Sequence, residues 1–345
     1  MNIVLTFLAQ NWQRLGLERF GPASALSSVI ATPRFRASSH VIFFIMAPGQ
    51  PSPFLVVKTP RLTGDHGRLD GEAENLRLVH SAQAGGFASI PRLVAYEDYV
   101  GYRLLIETAL AGETMSVRLR RHQPEPYVQA ATNWLIELHG ATAKPGASDS
   151  AWYERLMGRR LQQFCAAMPL ATDELRLVEQ SQTWMSSLDA TSIPLVFEHG
   201  DLGPVNIMFS KTGQLGVVDW ELAEPKGLPA ADLFFLLTIA APAWRRAQTP
   251  AAYVAAFHET FFGPAAWARP YVRRYAESLH LTPEQLKPLF VLCWSRYLVN
   301  LVTRLHDFET ANQSVENDTL AWLRSNRYYA VWRHTVEHIN ELNLC

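Results

Sequence analysis

The stretch that decides the reading of this chain is Leu195–Leu233, LVFEHGDLGPVNIMFSKTGQLGVVDWELAEPKGLPAADL. Asn206 is followed by four strand-like residues, 207–210, then by Lys211-Thr212-Gly213-Gln214, then by a second strand-like run, 215–218, and Asp219. Two short strands around a glycine-containing turn make a hairpin. Counting up one strand and down the other puts Asn206 and Asp219 side by side at its base. A neutral amide oxygen beside a carboxylate is a hard-oxygen pair suited to Mg²⁺, which takes one or two protein ligands and completes its shell with phosphate and water. Asp201 precedes Asn206 in a loop broken by Gly200, Gly203 and Pro204, where a carboxylate can face an incoming hydroxyl. Phosphoryl transfer needs this division of labour: a group that orients the nucleophile and accepts its proton, and metal ligands that neutralise phosphate charge. Taken singly, Asp201, Asn206 and Asp219 read as ordinary turn residues. Together with His199, Trp220 and Asp232 they read as a site.

Outward from this stretch, residues 1–110 read as strand-rich. Apolar, β-branched runs lie at 28–31, 41–47, 54–58, 92–96 and 102–106, punctuated by proline and glycine. One helical pattern interrupts them, carried by Leu69, Ala73, Leu76 and Val79 with Asp70 as the expected N-cap. Five strands with a helix after the third predict a small α+β lobe. Beyond about residue 112 the period becomes helical, with Tyr127, Ala131, Trp134, Leu135 and Leu138 on one face, and only the 195–219 region returns to β. The division expected is a β-rich N-lobe, 1–107, and a C-lobe, 108–345. The C-lobe would hold a catalytic loop at 199–206, a metal hairpin at 206–219 and a helical substrate region at 228–345.

Composition excludes several classes. The chain has 345 residues, 48% hydrophobic and 18% charged, with 31 Lys+Arg against 32 Asp+Glu. Disorder requires low hydrophobicity with high net charge, and a nucleic-acid binder usually carries a basic excess; neither is present. Cys165, Cys293 and Cys345 are too few and too scattered for a disulfide framework or a zinc site. The N-terminus starts apolar but has no basic leader and no cleavage site, and Ile3, Phe7 and Leu8 suit a short amphipathic helix. The most apolar run, Leu233–Trp244, is shorter than the roughly 18–20 residues a bilayer span needs. A soluble, cytoplasmic protein with no membrane or nucleic-acid partner is expected.

The deciding stretch resembles the catalytic core of the aminoglycoside phosphotransferase/choline kinase family. His199-Gly200-Asp201 followed by Asn206, then Val218-Asp219-Trp220-Glu221, then Gly227 through Asp232-Leu233 carry the likeness. Leu228 stands where the family often has aspartate. The resemblance implies a protein-kinase-like two-lobed α+β fold, with a five-stranded antiparallel N-lobe and a larger, mainly helical C-lobe. It implies Asp201 as catalytic base or orienter, Asn206 and Asp219 as Mg²⁺ ligands, and His199 and Asp232 as braces of the catalytic loop. Lys58, ending the run Phe54-Leu55-Val56-Val57, would hold the nucleotide phosphates. Glu72 would pair with it in the family register, with Glu74 the alternative. The connector around Glu107 and Ala109 would meet the nucleotide base through its backbone. No G-x-G-x-x-G covers the phosphates; Ser38 and Ser39 would touch them and Arg34 or Arg36 neutralise them, unless the segment is simply a polar turn. His139 reads as a core histidine.

The implied activity is transfer of the γ-phosphate of ATP (or GTP), with Mg²⁺, to a hydroxyl of a small-molecule alcohol: a sugar, aminocyclitol, amino alcohol or related metabolite. The alternative is a pseudokinase or nucleotide-binding scaffold. Protein kinase activity is disfavoured because no activation segment follows Asp219-Trp220-Glu221. Residues 241–345 carry 11 Lys+Arg against 9 Asp+Glu and 16 of the 38 aromatics. A pocket for a polycation would be acidic, so this balance disfavours an aminoglycoside. The aromatics suit either a cation cage or stacking faces, or simply a helical core.

Overall fold

The computed structural model describes residues 2–32, 40–62, 64–146, 151–188, 193–311 and 319–345. Contacts divide the chain into two units: Met1–Met115 with Val205–Pro225, and Ser116–Pro204 with Lys226–Cys345.

The chain opens the first unit with helix α1 (Ile3–Asn11), whose N-cap Asn2 accepts a hydrogen bond from the Leu5 amide. Strands β1 (Ser27–Ala31), β2 (His40–Met46) and β3 (Leu55–Pro60) follow, then helix α2 (Gly67–Ser81) and strands β4 (Leu93–Tyr99) and β5 (Tyr102–Thr108). They form a five-stranded sheet in the order β1-β2-β3-β5-β4, every neighbouring pair antiparallel. The expected α+β class and antiparallel five-stranded sheet are therefore present, with most strands a residue or two longer than the apolar runs. The N-cap differs from expectation. Helix α2 starts at Gly67, behind His66, and Asp70 lies inside its first turn, where it accepts a hydrogen bond from the Tyr96 hydroxyl at 2.7 Å. An acidic residue is equally at home there, because the helix dipole favours negative charge in the first turn.

The two faces of the sheet have different tasks. Successive strand residues point to opposite sides, and Phe43, Ile45, Leu55, Val57, Leu104 and Ile106 share one core with Val4, Phe7 and Leu8 of α1. Leu105 faces the other way, against Leu69 and Ala73 of α2. By the same alternation His40, Lys58 and Glu107 belong to the α2 face. The apolar face anchors the sheet, and the opposite face is left to hold buried charge.

The chain leaves the first unit through β6 (Glu113–Thr114) and α3 (Met115–Leu119). Gly112 is required just before β6: its φ is 142°, and a Cβ there would lie 2.3 Å from the Phe209 carbonyl oxygen. The second unit continues with α4 (Glu125–Thr142), β7 (Lys144–Pro145), α5 (Arg159–Ala167), α6 (Thr172–Ser186) and β8 (Pro194–Glu198), which pairs with β7. The chain then returns to the first unit as a hairpin, β9 (Ile207–Phe209) and β10 (Leu215–Val217), with β9 also paired to β6.

After β11 (Glu224–Gly227), the remainder is helical: α7 (Ala231–Arg245), α8 (Pro250–Phe261), α9 (Arg269–Ser278), α10 (Pro283–Ala311), α11 (Thr319–Ser325) and α12 (Arg327–Glu337). The apolar run Leu233–Trp244 lies within α7, a core helix with Leu233, Phe234, Leu236 and Leu237 fully buried. Among the described residues no helix is long and apolar enough to cross a membrane.

Candidate active site

In the first unit, Lys58 ends the alternation of β3 on the α2 face and is 3% exposed. Its Nζ lies 2.5 Å from Glu72 Oε1, 3.2 Å from Asp219 Oδ1 and 3.8 Å from Glu107 Oε1. Burial works to lower the Lys58 pKa, but these three carboxylates together hold it well above the usual lysine range. Burial also pushes the Glu72 and Glu107 carboxyls upward, against the pull of Lys58. Glu74, the alternative partner, is exposed on α2 and lies 3.5 Å from Arg77.

The segment after β10 is fixed by α2. The Trp220 amide donates to Glu72 Oε1 at 3.1 Å, and the Asn75 side-chain amide donates to the carbonyls of Trp220 and Ala223, both at 3.1 Å. The Trp220 indole, fully buried, donates to the Val217 carbonyl. Asp219 therefore sits in a tightly specified turn with φ of 71°. A non-glycine residue in that region is uncommon, though aspartate tolerates it better than most, and such strain persists where the surroundings over-determine it. Asn206 is buried at the hairpin base, where its carbonyl accepts the Val218 amide at 3.0 Å. An amide oxygen and a carboxylate at the base of one hairpin are hard-oxygen donors of the kind Mg²⁺ takes.

The connector is tied into the sheet. The Thr108 amide donates to the Arg92 carbonyl at 2.9 Å and the Ala109 amide to the Phe54 carbonyl at 3.0 Å. Backbone contact at Ala109 would thus run through its carbonyl. Ser38 and Ser39, with Arg34 and Arg36, lie outside the described residues.

In the second unit, Asp232 is 1% exposed in the first turn of α7 and accepts two amides of the loop after β8, His199 N–H at 2.6 Å and Gly200 N–H at 2.9 Å. Burial would raise its pKa. Its contacts with His139 and His199 more than offset that and hold it below the usual carboxylate range. The Asp201 amide in turn donates to His199 Nδ1 at 3.3 Å. The His139 ring is fully buried, with Nδ1 2.6 Å from the Tyr275 hydroxyl and Nε2 3.6 Å from Asp232. His139 is a core histidine, as expected, and it also borders the loop brace. The Tyr275 hydroxyl donates to or accepts from His139 and accepts the Ala230 amide at 3.0 Å, where Ala230 takes the left-handed conformation with φ of 62°.

Two features of this unit carried no sequence signal of their own. Glu198 forms a buried ion pair with Arg296 of α10, and its other oxygen accepts the Leu228 amide at 2.9 Å. Leu228 is fully buried. The segment is held through its backbone, so the leucine that departs from the family pattern is accommodated as core. The second is Tyr328 of α12, whose hydroxyl is pushed up by burial against the opposing pull of the Arg327 charge. Tyr328 accepts a hydrogen bond from Arg327 at 3.1 Å and packs on Tyr297, which stacks on Phe235. Aromatic abundance alone cannot say which rings face a loop and which fill a core.

The described residues thus hold two clusters, a lysine–carboxylate group on a β-sheet and a loop braced by an aspartate. The phosphotransferase enzyme family model matches residues 37–271, well over half of the 345, and the chain belongs to that family. Solved structures it is similar to include an aminoglycoside phosphotransferase from Streptomyces rimosus in complex with ADP and streptomycin, at 13% identity and TM-score 0.48, covering 86% of this chain and 99% of that one. Choline kinase LicA from Streptococcus pneumoniae is similar at 12% identity and TM-score 0.48, covering 96% and 99%. A type VIII aminoglycoside-3'-phosphotransferase is similar at 19% identity and TM-score 0.46, covering 84% and 98%. No curated protein sequence matches the chain. Membership rests on the family match.

Proposed function

We propose that the protein transfers the γ-phosphate of ATP (or GTP) to the hydroxyl of a small-molecule alcohol. The observation that supports this best is the buried Lys58, held by Glu72 and reaching Asp219 at 3.2 Å. A lysine is rarely buried without a task, because desolvating an ammonium is costly unless it is paired. In this reading Lys58 binds nucleotide phosphates, and Glu72 fixes its ammonium on the α2 face of the sheet. Asn206 and Asp219 hold Mg²⁺, which supplies charge neutralisation at the phosphates. Asp201 orients the acceptor hydroxyl and takes its proton. Asp232 and His199 hold the loop that carries Asp201, acting as positioning residues. The connector at Glu107 and Ala109 borders the base. Residues 1–107 then serve the nucleotide, and 108–345 carry the catalytic loop and acceptor site.

For the acceptor, residues 241–345 carry 11 Lys+Arg against 9 Asp+Glu, without the acid excess that would draw in a polycation, which favours a neutral or anionic alcohol. The test is nucleotide turnover with a panel of sugars, amino alcohols, phosphorylated or carboxylated alcohols, and an aminoglycoside. Asp201→Ala should lower turnover by about 10²–10⁴, the range for loss of a general base, while leaving Mg-nucleotide binding intact. Turnover equal to wild type would refute the role of Asp201. Nucleotide binding without turnover on any acceptor would point to a scaffold instead.

A further inference from the structure

Within the first unit, His40 faces Asp219 and Glu221. It is the first residue of β2, on the α2 face of the sheet, and is 4% exposed. Its Nδ1 is shielded from solvent, makes no hydrogen bond among the described residues, and lies 3.5 Å from Glu221 Oε2. One ligand atom from each of His40, Asp219 and Glu221 can be chosen so that all three lie within 4.8 Å of one another. Adjacent ligands bound to one ion at about 2.0–2.2 Å sit roughly 3–3.5 Å apart, so side-chain rotations that bring the three atoms about an ångström closer would close the set.

The chain geometry explains the convergence. Asp219 and Glu221 flank Trp220, whose buried indole and α2-bound amide leave the two carboxylates little freedom. β2 pairs with β3 so that His40 lies opposite Pro60, two residues beyond Lys58 on the same face. Among the described residues, Asp219 lies 3.2 Å from Lys58 and Glu221 3.3 Å from Arg68. An imidazole nitrogen aimed at two carboxylates is unusual for Mg²⁺, which prefers oxygen, and suits Zn²⁺ or Mn²⁺.

We propose that His40, Asp219 and Glu221 form a divalent transition-metal site, separate from the Asn206–Asp219 pair though sharing Asp219 with it. The site needs no nucleotide and no acceptor, so it goes beyond the phosphotransfer reading. It would make the protein's metal preference differ from that of an all-oxygen Mg²⁺ site, and an occupied site would draw on the carboxylate that otherwise contacts Lys58.

The test uses the full chain with Mn²⁺ alone, followed by titration calorimetry and electron spin-echo spectroscopy, with Zn²⁺ competition. The expected result is bound Mn²⁺ with a nitrogen coupling from one imidazole, displaced by Zn²⁺. His40→Ala and His40→Asn should both remove the coupling and weaken binding at least tenfold, with thermal melts showing that each variant is folded. Glu221→Gln should weaken binding while keeping the coupling. Asn206→Ala should leave the coupling in place, as should Asp201→Ala even though it loses turnover, so this inference and the kinase reading fail separately. Absence of Mn²⁺ binding, binding without nitrogen coupling, or a coupling that survives in both His40 variants would overturn the proposal.

Discussion

At the scale of single residues, Lys58 is the group on which most depends. It is surrounded by Glu72, Asp219 and Glu107 and nearly closed to solvent. Removing one partner of a buried ionic group costs far more than the net worth of the pair, because the remaining charges stay buried. Lys58→Met should therefore destabilise the protein by about 3–5 kcal/mol, read by urea denaturation. The double variant Lys58→Met/Glu72→Gln should recover part of that loss, because it also removes one stranded carboxylate. Additivity of the two substitutions would show that the pair is not coupled. In sequence, Lys58 stood out because a lysine after four apolar residues breaks the strand pattern. Glu107 stood out only as part of a connector. That its side chain closes the cluster follows from β5 pairing with β3, a long-range fact. His40 had no motif to mark it, and only strand register aims it at Asp219 and Glu221.

At the scale of elements, helix α6 shows how the helical unit is tied together. Glu174, in its first turn, accepts hydrogen bonds from Arg324 Nε at 2.9 Å and Nη2 at 2.7 Å, from the Tyr329 hydroxyl at 2.7 Å, and from the Ala171 amide at 2.7 Å. Arg324 belongs to α11 and Tyr329 to α12, so one carboxylate joins three helices. Its pKa falls to about 2, chiefly through Arg324, against a burial effect that would raise it. The depressed value means that the ionised form is favoured by folding. That stabilisation is complete above the ordinary glutamate range near 4.5 and disappears as pH falls toward about 2. Glu174→Gln should cost about 1.5–3 kcal/mol at neutral pH, the value of hydrogen bonds to a charged group. Melting curves should show a constant gap from wild type between pH 8 and 5 that narrows below 4.5. A gap independent of pH would place the effect in packing. The amphipathic periods of α2 and α4 were legible in sequence. The joining of α6 to α11 and α12 was not, since its partners lie some 150 residues away in the chain.

At the scale of the whole molecule, the chain contributes to each unit twice, and the family match runs through both. Ligands that bind the native state alone raise its stability by mass action. Mg-ATP at about a hundred times its dissociation constant should add about 2.7 kcal/mol, visible as an upward shift of the melting temperature. Asp219→Ala should abolish that shift at the same concentrations. A wild-type melting temperature unmoved by Mg-nucleotide would count against the proposed nucleotide site.

What the sequence determined by itself is local. Alternating apolar strand residues, the glycine turn at 211–214 and the spacing from His199 to Asp219 follow from backbone geometry and side-chain period, which neighbouring residues settle among themselves. The five strands and the family resemblance came from those signals, and the antiparallel arrangement was what the resemblance implied. The tertiary structure decided which charges meet. Lys58 and Asp219 are 161 residues apart, Glu198 and Arg296 are 98, and His139 and Tyr275 are 136. Their encounters depend on strand register and helix packing, where a shift of one residue turns a side chain to the opposite face of a sheet. The apolar face formed by α1 and the inward residues of β2, β3 and β5 fixes that register. Fixing it leaves His40, Lys58 and Glu107 together on the other side.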